Sequence, residues 1–228
     1  MKTFKPALIF VSLVVFLMSG SVVAQTVIPD TSDARYARVK VLEKSLEINS
    51  QPAQLRELAM IYAVIAGLDD FTKETVEKAE QYLKPAVKAN PGDYELMATY
   101  GSVIAMKAQF EKSSIRQMMY MKRGTRKMDR AVKKDPDNIG ALLQRGNNSL
   151  RLPVFLKRTH IAQKDFKHIL ELVGDRKGPE FKAMILFNLG EAHLLLKQQK
   201  LAVKYWEQSK LIGATHWSEM AAEKLTKL

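Results

Sequence analysis

The chain has 228 residues, 46% of them hydrophobic, no cysteine, and 36 Lys and Arg against 24 Asp and Glu, for a formal charge of +12. That length and apolar share can bury a continuous core, which excludes a disordered chain. The lack of cysteine excludes disulfides and leaves stability to packing alone. The excess of cations directs attention to anionic partners: lipid head groups, acidic polymers or acidic protein surfaces.

Lys2 and Lys5 precede an uncharged stretch from Pro6 to Ala24, with an apolar centre from Ala7 to Met18 followed by Ser19-Gly20-Ser21. This layout predicts a secretory signal over residues 1–24, cleaved near Ala24. The alternative is an uncleaved anchor, since about 20 apolar residues can span a bilayer. In both cases the two lysines hold the N-terminus inside, so the rest of the chain is expected to be exported, to the periplasm or cell envelope. Without those lysines the charge is still +10 (12 less 2). Nucleic acid is not an expected partner there.

Residues 25–32 form a short polar lead-in. From Asp33 to Ile48 the residues Tyr36, Val39, Val41, Leu42 and Leu46 recur at helical spacing and predict one helix. Downstream, a pattern of small and bulky residues returns four times. Leu55, Leu58, Ala59 and Tyr62 lead to Ala79, Leu83, Ala86 and Pro91; Met97, Gly101 and Ile104 lead to Gly124, Met128, Ala131 and Pro136. Leu142, Gly146 and Ser149 lead to Ala162, Phe166 and Ile169; Leu186, Leu189, Gly190 and His193 lead to Ala202, Trp206 and Ser209. Two close-packed helices need a small residue where they touch and bulky ones on either side. Asn90-Pro91-Gly92-Asp93 and Asp135-Pro136-Asp137-Asn138 can each stop one helix and cap the next. Pro85 falls inside a helical run and predicts a kink. Leu152-Pro153-Val154-Phe155 is expected to fold back on the core; the alternative offers Phe155 to a partner. Ser218 is expected to cap a last helix containing Met220, Ala221 and Leu225, and strand signals are absent.

These four units resemble the tetratricopeptide repeat, a helix-turn-helix unit of about 34 residues. The resemblance implies an all-α, right-handed α-solenoid of about four helix pairs, at about 52–92, 94–137, 139–176 and 183–216 within a body of 51–216. A cap over 25–50 and another over 217–228 would cover its ends. The departures are inserts around Gly67 to Phe71, Lys107 to Arg123 and Leu152 to Lys157, an arginine (Arg145) where the family places a bulky residue, and no closing proline in the third and fourth units.

In this family the first helix of each unit lines a concave groove that holds peptides or partner segments. Matched position by position, the groove would be lined by Arg56, Met60 and Ala63, by Glu95, Ala98, Ser102 and Met106, by Leu143, Asn147 and Arg151, and by Phe187, Glu191 and Leu194. Asn147 fits the asparagine of the family's carboxylate clamp, but Leu143 stands where its lysine would be, so no clamp is expected. Arg56, Asn147 and Arg151 are suited to bond a main chain or carboxylate, with Met and Phe to bury apolar side chains. The resemblance thus implies a non-catalytic adaptor for a protein or peptide partner.

Between Lys107 and Lys134, ten Lys or Arg residues face only Glu111 and Asp129. Met118, Met121, Thr125, Met128 and Val132 make one stripe and Arg116, Arg123, Lys127, Arg130 and Lys134 another, predicting an amphipathic helix over 113–134 that is longer than a repeat requires. Three readings stand. The cations are a solvated outer face over packed methionines; or they bind an anionic membrane or polymer, each contributing about 1 kcal/mol near an acidic bilayer; or the methionines are an adaptable contact for a partner. A small-ligand-binding helper of a transporter is a further alternative. His160 and His168 complete no recognised zinc spacing, His193 holds a packing position, and no phosphate-cradling loop or serine nucleophile motif occurs. Neither an enzyme nor a metal or cofactor is expected.

Overall fold

The computed structural model describes residues 28–49, 51–174 and 176–227, so the predicted signal at 1–24 lies outside the described residues. Ten α-helices and no strand make up that part: α1 (Ser32–Ile48), α2 (Pro52–Val64), α3 (Lys73–Ala89), α4 (Tyr94–Met106), α5 (Ser114–Lys134), α6 (Ile139–Arg151), α7 (Thr159–Val173), α8 (Pro179–Leu195), α9 (Gln199–Ile212) and α10 (His216–Thr226). The helices start where the sequence supplies caps. Thr31, Thr72, Asp93, Ser113, Asn138 and Thr215 each accept a backbone N–H from the first turn, and Pro52 and Pro179 open α2 and α8. The cap of α10 is Thr215 rather than Ser218. Ser218 lies one turn in, and its N–H donates to Thr215 Oγ1 at 3.0 Å.

Helices pair antiparallel as α2 with α3, α4 with α5, α6 with α7 and α8 with α9. The last pair shows the register: Ser209 Oγ donates to the Ala183 carbonyl at 2.9 Å, and Trp206 Nε1 to that of Phe187 at 3.2 Å. Glycines set the approach. A Cβ on Gly124 would lie 2.4 Å from the Gly101 carbonyl oxygen, one on Gly146 2.9 Å from the Phe166 ring, and one on Gly190 2.3 Å from Trp206. The first helices of the pairs run parallel in one layer: Arg56 at the start of α2 meets Glu95 at the start of α4, Gly140 at the start of α6 lies against Glu95, and Asn188 of α8 bonds Asn147 of α6.

The core consists of two clusters that meet at α4, one with Val39, Leu42, Leu58, Leu83 and Leu96 and the other with Ala98, Phe166, Phe181, Trp206 and Trp217, all buried. Both ends are covered. At one, Glu43 of α1 accepts bonds from Tyr62 (2.6 Å) and Tyr82 (2.9 Å), whose rings stack 5.0 Å apart. At the other, Trp217 of α10 packs on Phe187 with ring centroids 5.3 Å apart.

The three inserts all fall at the turn from the first to the second helix of a unit. The first continues α2 as a π-helical turn (Ile65–Asp69), the second continues α4 as a 3-10 turn (Lys107–Phe110), and the third is a 3-10 turn (Val154–Leu156). The Phe71 and Phe110 rings join the first two, 5.1 Å apart. The third differs from expectation. Only Leu152 turns inward, at 8% exposure, whereas Val154 and Phe155 stand at 51% and 71%. Pro153 in an extended conformation and Lys157 in the left-handed region, at φ 54°, turn this segment away from the core. Helix α3 runs on past Pro85 to Ala89.

Candidate functional site

The groove positions read from the sequence fall mostly in the interior. Arg56, Met60, Ala63, Glu95, Ala98, Ser102, Leu143, Asn147 and Phe187 are buried; Met106 and Glu191 are half-buried, and Arg151 and Leu194 are exposed. The buried ones tie neighbouring units together. Arg56 bonds both Asp93 and, at 3.3 Å, Glu95. Burial pushes the Glu95 carboxyl up to about 7, against the pull of the Arg56 charge. Gly140 leaves room for it, since a Cβ there would lie 2.5 Å from Glu95 Cδ. Asn188 Nδ2 donates to Asn147 Oδ1 at 3.3 Å. Phe187 lies under Trp217, and Glu191 pairs with Lys224 of α10 at 2.8 Å.

The long basic helix is α5, and its two halves differ. In the C-terminal half Met128 and Val132 are core residues; in the N-terminal half Met118 and Met121 are half-buried, while Ile115 and Met119 stand 83% and 44% exposed. Arg116, Arg123, Arg130 and Lys134 are exposed. Lys127 is partly covered, with its ammonium 4.6 Å from the centre of the Tyr100 ring. Burial, with Arg130 and Arg123 nearby, holds its pKa below the usual lysine range.

Between α5 and α7 lies a cleft of about 780 Å³. Its floor is Val132 and Leu142, with Pro136 exposed beside them, and its rim carries Lys133, Lys164 and Lys167 of one sign and Asp137 and Glu171 of the other. Arg145, the departure from the repeat pattern, forms one wall. It grips Asp165 with two bonds, of 2.8 and 2.6 Å, and Asp165 is 1% exposed. Arg158 grips Asp129 the same way, at 2.8 and 2.7 Å, and Arg145 lies 3.7 Å from Asp129. This network closes one end of the cleft and fixes α7 against α5. Paired guanidinium and carboxylate forks set geometry as well as energy. Sequence reasoning singled out Arg145, named Asp129 only as an acid among the cations of 107–134, and missed Asp165. The signal available was Asp165 one residue before Phe166, inside an otherwise apolar face.

His168, at the far end of the cleft, bonds Asp137 at 2.7 Å and Glu171 at 3.4 Å. The bond to Asp137 raises its pKa above the ordinary histidine value. His193 is buried, stacked 5.0 Å from Tyr205, and burial holds its pKa down. The partners assign a neutral ring: Nδ1 donates to Gln198 Oε1 at 2.6 Å and Nε2 accepts from Gln163 at 3.1 Å. His193 is therefore a packing residue, as the repeat pattern implied. Among the described residues no group of three or more His, Cys, Asp or Glu is arranged to hold a metal ion.

No family model and no curated protein matches the sequence. Among solved structures the chain is similar to the crystal structure of a thermophilic TPR protein in Thermus thermophilus, with a TM-score of 0.66 and 17% identity over 85% of this chain and 92% of that one. At that identity the likeness is one of fold. The stacked antiparallel pairs, the small residues at their crossings and this neighbour together identify the described part as an all-α solenoid of the tetratricopeptide-repeat type.

Proposed function

We propose that the protein is a non-catalytic adaptor of the cell envelope that holds a segment of a protein partner in the cleft between α5 and α7. The envelope location is supported by Lys2, Lys5 and the uncharged stretch from Pro6 to Ala24. The observation that carries the reading is the cleft itself: an apolar lining of Val132, Leu142 and the exposed Pro136 beneath a rim of three lysines and two carboxylates. Binding sites commonly occupy some 300–1,000 Å³ and combine apolar lining with a few placed polar groups. The chemistry fits an extended segment with one apolar side chain for the floor and acidic side chains for Lys133, Lys164 and Lys167. The buried inner layer, from Arg56 to Phe187, supports a structural rather than a binding role for those side chains.

The test is photo-crosslinking from position 163 in envelope extract, mapping of the crosslinked peptide, and titration of that peptide with purified protein. Lys133, Lys164 and Lys167 are exposed, so changing them is expected to leave the core intact. Their joint replacement by Glu is expected to weaken binding at least about tenfold, the equivalent of roughly 1.4 kcal/mol. Unchanged affinity would remove the cleft from consideration.

A further inference from the structure

The antiparallel pairing puts every turn from a first to a second helix on one edge of the stack, and that edge is chemically unlike the other. In units two to four it consists of residues 107–126, 153–160 and 194–201, where Glu111 is the one acid. Five cations from Lys112 to Arg126 are joined there by Lys157, Arg158, Lys197 and Lys200. Of these, Arg158 is engaged by Asp129, and Arg116 lies 3.8 Å from Glu111. Among them stand Ile115, Met119, Val154, Phe155, Leu195 and Leu201, at 38% to 83% exposure. On the opposite edge the turns carry Asp93, Asp135 and Asp137 beside Arg176 and Lys177, and of the large exposed apolar residues only Ile48 and Leu211 lie there. The same edge of the first unit is acidic, with Asp69, Asp70, Glu74 and Glu77.

From this asymmetry we propose that the edge formed by the three turns of units two to four docks on an anionic phospholipid surface, with Ile115, Met119, Val154 and Phe155 entering the head-group region. Charge complementarity selects an anionic occupant, because stretches this rich in cations and poor in acids repel one another until an external anion meets them. The scatter of the apolar side chains selects a fluid one. They stand on two separate segments, the start of α5 and the turn after α6, and a lipid interface closes around isolated side chains where a protein surface would need a matching relief. No helix among the described residues is long and apolar enough to cross a membrane. This edge is separate from the cleft between α5 and α7, and the adaptor would use both at once.

The chain has no cysteine, so single labels can be placed cleanly. Three full-length proteins, Met119→Cys, Phe155→Cys and Leu211→Cys, each carry one environment-sensitive NBD fluorophore. They are mixed with vesicles of phosphatidylglycerol and phosphatidylcholine, or of phosphatidylcholine alone. The N-terminal apolar stretch is common to all three, so tethering through it affects them alike. The expected result is a blue shift and a several-fold rise in emission at 119 and 155 on the anionic vesicles, reversed by salt, with no change at 211. Lys122→Glu, Arg123→Glu and Arg126→Glu together are expected to abolish the response at 155. No change at 119 and 155, an equal change at 211, or an equal change on neutral vesicles would overturn the proposal. So would a response at 119 and 155 to a protein bound by the chain but not to vesicles, which would make the edge a protein contact. None of these outcomes bears on the titration at the cleft.

Discussion

Replacing Gly124 by alanine tests the geometry on which the stack depends. The added Cβ would lie 2.4 Å from the Gly101 carbonyl oxygen and 2.8 Å from both the amide nitrogen and the Cβ of Ala105. Two of those three atoms are backbone, so no side chain can rotate away; α4 and α5 have to separate. Overpacking of this kind costs about 1–3 kcal/mol, and contact with main chain places it at the upper end. Against that, Ala in a helix interior gains up to about 1 kcal/mol over Gly. The net expectation is a loss of about 2 kcal/mol, or a fall in Tm of roughly 4–8 °C for a chain of this size. Gly92→Ala is the matched control: its Cβ would meet nothing within 4 Å and its φ is not positive. That variant should be neutral or stabilised by up to about 1 kcal/mol through the unfolded chain. Thermal and urea unfolding of both variants gives the answer. A Gly124→Ala protein as stable as Gly92→Ala would refute the claim that backbone contact at this crossing holds the second unit together.

Two further outcomes follow from buried charge. Arg145→Ala leaves the Asp165 carboxylate, 1% exposed, without its two-pronged partner and is expected to cost about 3–5 kcal/mol. Arg145→Leu combined with Asp165→Leu should recover most of that loss, and a double-mutant cycle by urea unfolding that shows simple additivity would deny the coupling. Glu95 gives a pH signature. Its folded pKa of about 7 lies above the ordinary 4.5, so the folded chain holds the proton more tightly. Its contribution is fully present below 4.5 and lost as pH rises through 7. Across that window Tm of the wild type should fall relative to Glu95→Gln; a constant difference between the two would contradict the assignment.

The helix crossings were legible in the sequence because close backbone approach admits no alternative. Gly101 with Gly124, Gly146 with Phe166 and Gly190 with Trp206 are read from spacing alone and meet in space. The same holds for the caps at Asp93 and Asn138 and for His193 as a packing residue. The groove was not legible in this way. Helical spacing says which residues share a face, but whether that face meets solvent depends on how closely successive units approach, which no local pattern encodes. Met60 and Phe187 illustrate the difference, since both lie on the expected face and both are buried by neighbouring elements. The turn after α6 misled for a related reason. Apolar Val154 and Phe155 suggested an inward loop, but Pro153 and the left-handed Lys157 fix a backbone path that sends only Leu152 inside. Arg145 was visible as an oddity, yet its partner Asp165 lies twenty positions on, across a hairpin whose insert hid the register.

The closing helix has a consequence for how such a chain can vary. Trp217 occupies the place that the next repeat would take against Phe187, and Lys224 neutralises Glu191 beside it. A duplicated unit inserted at this end has to displace that indole before it can join the row. A chain truncated at Gly213 would instead present a raw aromatic surface that copies of itself can cover.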